Sequence, residues 1–66
     1  MRINGEKINC SYLSMEDLLI KNGYNITHVA VECNGEILVK SEYQSYVPKE
    51  NDVIEVVTFV GGGWYV

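Results

Sequence analysis

Long apolar runs and clustered cysteines are absent from this 66-residue sequence, and it has a single histidine. No segment approaches the roughly 20 apolar residues that span a bilayer, and no basic, then apolar, signal-peptide segment opens the chain. Cys10, Cys33 and the lone His28 are too few for a cysteine-ligated zinc or iron–sulfur site, and they form no nucleophile–base grouping. Because cytosolic thiols stay reduced, we expect the cysteines to be buried small hydrophobes rather than a disulfide. These absences favour a cytoplasmic domain with no bound metal and no membrane contact.

Positive charge is also scarce, since five basic residues face nine acidic ones and the net charge is −4. After Ala30, six acidic residues accompany only Lys40 and Lys49. A surface that follows phosphates needs the opposite sign, so nucleic acid is not an expected partner. The acidic half is either a face that docks onto a basic protein surface or a solvated face that maintains solubility.

Two Asn-Gly pairs predict β-hairpins, because a type I′ turn requires positive φ at both central residues. Asn4-Gly5 lies between a strand at 1–4 and a strand at 6–10, in which Ile8 and Cys10 face inward. Asn34-Gly35 lies between strands at 29–33 and 37–39. The chain therefore contains two predicted hairpins.

A short helix is predicted between the hairpins. Ser14 is its expected N-cap, with Asp17 at the third helical position, and Asn22-Gly23 is its expected left-handed end. Met15, Leu18 and Leu19 follow helical spacing and form one apolar stripe. We expect this helix to cover one face of a sheet.

The last predicted strand, 53–60, is the longest and most apolar. Because Glu55 should face water, Ile54, Val56 and Val60 are the expected core residues. Val57 and Phe59 then form an apolar patch on the opposite face. We interpret that patch as a docking surface for a partner, the alternative being that Phe59 simply packs against a loop.

The order hairpin, helix, hairpin, turn and long final strand predicts an α+β, β-grasp (ubiquitin-like) fold. Its mixed sheet has four to five strands, the last strand is central, and one main helix packs on one face. We expect one domain over residues 1–60 and a glycine-rich C-terminal tail over residues 61–66.

The tail reads Gly61-Gly62-Gly63-Trp64-Tyr65-Val66. Extended, residues 60–63 reach about 13 Å at about 3.3 Å per residue, and they lack the side chains that would obstruct a narrow channel in another enzyme. A glycine run at a terminus is more often a frayed end, so composition alone does not establish a function.

The segments "MRINGEK", "MEDLLIKNG", "VAVECNGEIL" and above all "KENDVIEVVTFVGGG" give a more specific indication. Across residues 1–63 the chain resembles the ThiS/MoaD family of ubiquitin-like sulfur carriers, whose members normally end at the glycines. The last segment is the most specific of the four.

The resemblance implies a sulfur carrier for the thiazole of thiamine, and not an enzyme. A ThiF-like adenylyltransferase, using ATP and Mg, would activate the carboxylate of Gly63 (alternatively Gly62), while Gly61 and Gly62 thread its channel. A cysteine desulfurase would supply sulfur for a C-terminal thiocarboxylate, and a ThiG-like thiazole synthase would consume it. The carrier would bind no cofactor itself and would be a monomer when free.

Trp64-Tyr65-Val66 departs from the family pattern, because two aromatic residues would block threading. Three explanations are open. Either a protease trims the chain after Gly63, or the three residues are an artificial addition, or this member no longer acts as a sulfur carrier. Other functions are a molybdopterin-type (MoaD-like) carrier and a ubiquitin-like binding or modifier module without sulfur. A β-grasp ferredoxin is disfavoured, because it needs four clustered cysteines.

Overall fold

The structure, a computed structural model, describes residues 1–9 and 12–59. Its elements in chain order are β1 (Arg2–Ile3), β2 (Glu6–Lys7), α1 (Met15–Lys21), β3 (Val29–Cys33), β4 (Glu36–Leu38) and β5 (Val53–Thr58). Short 3₁₀ turns, Ile26–His28 and Lys40–Glu42, precede β3 and follow β4. Cys10, Val60 and the tail at 61–66, which the sequence analysis singled out, lie outside the described residues.

Both Asn-Gly pairs form the predicted turns. Asn4 and Gly5 have φ of 52° and 83°, and Asn34 and Gly35 have φ of 55° and 83°. Asparagine and glycine tolerate this left-handed backbone better than other residues, so the two dipeptides fix where each hairpin reverses.

Several predicted strands have bounds that differ from those in the structure. The strand expected at 6–10 ends at Lys7, because β2 is an edge strand that pairs only with the two residues of β1. The strand expected at 37–39 begins at Glu36, which pairs with Cys33 directly across the two-residue turn. The strand expected at 53–60 is regular only to Thr58.

The helix begins and ends as its capping residues predict. The Ser14 side chain accepts a hydrogen bond from the backbone N–H of Asp17 (3.2 Å). Gly23, with φ of 85°, donates its N–H to the carbonyl of Ile20 (3.0 Å). The seven-residue helix buries its predicted stripe, Met15, Leu18 and Leu19.

The five strands form one mixed sheet in the order β2-β1-β5-β3-β4. β5 is central, parallel to β1 and antiparallel to β3, which confirms the β-grasp arrangement. The helix stripe packs with inward-facing sheet residues, including Ile54 and Val56, in one core. Glu55 and Val57 are exposed, as the predicted register of β5 requires. One face of the sheet is therefore covered and the other is open.

Candidate functional site

The last strand connects the centre of the sheet to the glycine tail. The backbone N–H of Phe59 donates to the carbonyl of His28 (2.9 Å), so pairing with the β3 side continues to the last described residue. Gly61, Gly62 and Gly63, the predicted threading and activation residues, lie beyond this point and outside the described residues. Their roles stay predictions.

Two asparagine side chains hold the central strand in place. The Asn4 side chain accepts from the Val56 N–H (2.8 Å) and donates to the Val56 carbonyl (3.2 Å). The Asn34 side chain accepts from the Val53 N–H (2.9 Å). From the sequence, both asparagines were predicted only as turn residues. Their contacts with β5 follow from strand order, which no local sequence pattern reveals.

The structure places Val57 and Phe59 on the open face of the sheet, at the end of β5. Val57 is 49% exposed. Phe59 is half-buried, and its ring meets the His28 ring edge-on, with centroids 6.1 Å apart and planes at 74°. The predicted patch therefore consists of an exposed side chain, Val57, and an aromatic ring, Phe59, that already packs against His28.

An apolar groove of about 370 Å³ extends the patch across the sheet. Ala30 lies directly opposite Val57 in the β3–β5 ladder, and its small side chain leaves a depression between larger neighbours. Ile37 and Val39, which are 63% and 51% exposed, line the far side of the groove. Ala30, Ile37 and Val39 were not predicted as site residues, although the register of the second hairpin could have placed Ile37 beside Glu32 on this face.

Two carboxylates lie directly opposite each other beside the groove. Glu32 on β3 pairs with Glu55 on β5, and both side chains are exposed. Like charges at facing positions destabilise a sheet, so this pair does not arise from a requirement of the fold. It gives the open face a concentrated negative charge, which suits a basic side chain on a partner.

A second polar cluster lies at the opposite end of β5. Asp52 is buried and accepts hydrogen bonds from the Lys49 N–H (2.8 Å), the Asn34 side-chain amide (2.9 Å) and the Tyr46 hydroxyl. The Cys33 thiol donates to the same Tyr46 hydroxyl (3.5 Å). These contacts tie the loop after β4 to the second hairpin.

The electrostatics of this cluster indicate a structural role. Burial opposes the charge of Asp52, but the hydrogen bonds from Lys49, Tyr46 and Asn34 outweigh it and lower its pKa to about 2. The hydrogen bond to Asp52 raises the pKa of Tyr46, and burial raises the pKa of the Cys33 thiol. A thiol with a raised pKa is a poor nucleophile, so this cluster stabilises a loop and does not activate Cys33.

The rest of the described chain presents two further findings. Within residues 1–9 and 12–59, no group of three or more His, Cys, Asp or Glu side chains is arranged to hold a metal ion. In the same part of the chain, no helix has the length and apolar character needed to cross a membrane. The function is therefore best sought in the open face of the sheet and in the glycine tail that follows β5 in the sequence.

Comparisons with known proteins agree with this geometry. A family model described as the ThiS family matches residues 1–63. A thiazole synthase of Paramagnetospirillum magneticum is 44% identical over 62 residues, a match that covers 92% of this chain and 19% of that longer protein. The sulfur carrier protein ThiS of Bacillus subtilis is 42% identical over 50 residues, or 76% of each chain.

A solved structure gives the same relationship in three dimensions. The crystal structure of the thiamine biosynthesis protein ThiS from Geobacter metallireducens superposes with a TM-score of 0.71. The two chains are 29% identical, and the match covers 94% of this chain and 96% of the other. The fold and the sequence therefore identify the same group of relatives.

Proposed function

The chain belongs to the ThiS family, and we propose that it is the sulfur carrier of thiazole formation in thiamine biosynthesis. The observation that carries this proposal is the extent of the family match, which runs from residue 1 to residue 63 and so stops at the third glycine. The central strand β5 is the last described element before those glycines in the sequence. The relatives named for thiazole synthase and for ThiS favour the thiazole pathway over a molybdopterin pathway.

The chemistry centres on the C-terminal carboxylate that trimming after Gly63 would expose. A carboxylate is a poor electrophile, so one of its oxygens first attacks the α-phosphorus of ATP, pyrophosphate leaves, and an acyl adenylate forms. The terminal persulfide sulfur then attacks the carbonyl carbon and displaces AMP, which gives an acyl disulfide that retains the S–S bond of the persulfide. A thiol attacks the donor-side sulfur of that bond, which releases the thiocarboxylate and leaves a disulfide between the thiol and the donor. ATP and Mg belong to a ThiF-like adenylyltransferase in this scheme. A cysteine desulfurase supplies the persulfide.

The carrier's own contribution is a terminus and a surface. Glycines at 61, 62 and 63 present no side chains, so a narrow channel in the partner can admit them. Gly63 carries the reacting carboxyl group, with Gly62 as the alternative if the cut falls one residue earlier. This division of labour makes the chain a protein substrate of its partners and not a catalyst.

The open face supplies the docking surface. Val57 and Phe59 mark its edge nearest the tail, and Ile37 extends the apolar area toward the far edge of the sheet. The Glu32–Glu55 pair adds negative charge that steers a basic partner surface during encounter. An adenylyltransferase and a ThiG-like thiazole synthase would use this face in turn, because each must hold the same tail.

The thiazole synthase relative supports the second of these partners. In that protein of P. magneticum, a region 44% identical to this chain makes up about a fifth of the sequence. A carrier-like region within a protein of that name is consistent with a carrier that functions beside the synthase.

Trp64-Tyr65-Val66 must be removed before activation, since an aromatic side chain cannot follow glycines through a narrow channel. We assign the removal to a protease that cuts after Gly63. The family match ends at the same residue, which supports this position for the cut.

The intact mass of the protein from its native cells tests the proposal. We expect loss of residues 64–66 and a fraction of chains in which one oxygen is replaced by sulfur. A chain ending at Gly63, incubated with the adenylyltransferase, ATP, Mg and a persulfide donor, should form the thiocarboxylate. The same chain with Gly62→Leu is the matched control: its unfolding curve should equal that of the parent chain, while its leucine side chain should block the channel and prevent thiocarboxylate formation.

Two results would contradict the carrier role. One is a reaction in which the chain ending at Gly63 forms no thiocarboxylate even though all the partners, ATP and the sulfur donor are present. The other is recovery of the chain joined through its C-terminus to lysines of other proteins without thiocarboxylate, which would establish the modifier function.

A further inference from the structure

The open groove begins where the described chain ends. Val57 and Phe59 line it on β5, and Ala30, Ile37 and Val39 line it across β3 and the end of β4. We propose that Trp64-Tyr65-Val66 folds back into this groove, so that the untrimmed chain covers its own docking face.

The lengths of tail and groove are compatible. From Phe59 to Trp64 the chain has five residues, which extend at most about 16 Å at about 3.3 Å per residue. The groove crosses two strand spacings between β5 and β4, or about 10 Å at about 4.8 Å each. The remaining length is enough for a reversal, and a run of three glycines accommodates a reversal because glycine adopts positive φ without strain.

The chemistry of the groove suits these three residues in particular. Its walls are formed by alanine, valine, isoleucine and phenylalanine side chains, which match the apolar bodies of Trp64, Tyr65 and Val66. Glu32 and Lys40 lie at its rim. A glutamate there can accept a hydrogen bond from an indole N–H, and a lysine can lie over an aromatic face.

When the tail covers the groove, a partner cannot bind the open face, so the untrimmed chain is protected from activation. This consequence rests on the proposed carrier function. If the tail occupies the groove in nine of ten molecules, the apparent affinity of a partner for the open face falls about tenfold. Trimming after Gly63 removes the occupant and exposes the carboxylate in the same step. The cut then makes the carrier both reactive and available.

Trp64 reports on this contact, because it is the only tryptophan in the chain. We would record its emission and its quenching by acrylamide in the full-length protein and in a free peptide of residues 60–66. The proposal requires emission at shorter wavelength and weaker quenching in the protein. Val57→Ser should shift both values toward those of the peptide, whereas Val53→Ser, at an equally exposed valine of the same strand and face, should not.

Three outcomes would overturn the proposal. The first is emission and quenching equal to those of the free peptide. The second is an equal response to Val57→Ser and Val53→Ser. The third is a signal that strengthens with protein concentration, which would show that the groove takes the tail of a second copy. The experiment contains no partner, ATP or sulfur donor, so its failure is separate from a failure of the carrier function.

Discussion

The side chain of Asn4 completes the backbone hydrogen bonding of Val56, a residue 52 positions away in the sequence. Its oxygen accepts from the Val56 N–H at 2.8 Å, and its nitrogen donates to the Val56 carbonyl at 3.2 Å. The parallel ladder between β1 and β5 ends at the pair Ile3–Ile54, so the amide of a turn residue extends the pairing by one position. The first hairpin therefore secures the strand that leads to the tail.

Asn4→Gly tests this contact without disturbing the turn, since glycine adopts the φ of 52° freely. The substitution removes two hydrogen bonds to Val56 and an exposed one to the Tyr24 hydroxyl (3.1 Å). At about 1 kcal/mol for each, we expect a loss of about 2–3 kcal/mol in the free energy of unfolding. Urea unfolding measures this loss, and faster amide exchange at Val56 locates it. Asn51→Gly, in an exposed turn, controls for the flexibility that glycine adds to the unfolded chain. A loss no larger than that of the control would contradict the role of Asn4.

Asp52→Asn should reveal the buried carboxylate through its pH dependence. The pKa of Asp52 falls from 3.8 to about 2 on folding, a difference equivalent to about 2 kcal/mol at about 1.4 kcal/mol per pKa unit. Because the folded pKa is the lower one, the stabilisation is complete above about pH 4 and disappears as pH falls through 2. The variant should therefore be less stable at pH 7 by about 2 kcal/mol.

Chemical unfolding of both proteins between pH 7 and pH 2 measures this difference. The stability curves of wild type and Asp52→Asn should converge as the pH falls from 4 to 2. Asp17→Asn, the same substitution at an exposed helix residue, should show a small difference. Parallel curves for wild type and Asp52→Asn down to pH 2 would exclude a depressed pKa for this residue.

Substitutions at Ile54 and Ile37 should distinguish the buried core from the open face of the sheet. Ile54 is fully buried, whereas Ile37 is 63% exposed. In the chain ending at Gly63, which lacks the residues proposed to cover Ile37, Ile54→Ala should cost about 2–5 kcal/mol, which in so small a domain approaches the whole stability. Ile37→Ala should cost less than about 0.5 kcal/mol. Thermal unfolding compares the two, and Ile54→Val, at about 1 kcal/mol, keeps the measurement possible if the alanine variant does not fold. Similar losses for the two alanine variants would mean that the face at Ile37 is not open.

Local sequence signals predicted the structure correctly where one turn, one helix cap or the alternation of one strand determines it. Asn4-Gly5 and the Ser14 cap are such cases, and alternation around Glu55 correctly turned Ile54 toward the core. Contacts between distant strands were beyond such signals. Asp52 reads as one of several polar turn residues, and only the fold shows that it is buried.

The candidate site divides in the same way. The glycine motif was visible in the sequence because it is contiguous, and Val57 was placed by the alternation of its own strand. The groove was not visible, because Ala30, Val39 and Val57 come from separate segments that only the sheet brings together. Facing carboxylates at Glu32 and Glu55 likewise depend on the register between two strands.

Glu55→Gln should make the fold more stable and the carrier slower to dock. Removing one of two facing charges relieves a repulsion of about 0.2–1 kcal/mol, so the free energy of unfolding should rise by that amount. The same change weakens the attraction of the open face for a basic partner surface, so association with the adenylyltransferase should slow at low salt. Above about 0.5 M salt the rates should converge, since screening removes long-range attraction.

Stopped-flow association rates and urea unfolding supply the two measurements. Glu50→Gln is the matched control, because it removes the same charge from an exposed turn away from the pair. A stabilised variant with an unchanged association rate would mean that the pair faces solvent in the complex. A variant that loses stability would show that Glu55 has a favourable partner in solution. Glu55→Gln should raise the stability and lower the association rate, and this combination indicates a docking role for Glu55. If Glu55 served only the fold, its replacement would not make the fold more stable.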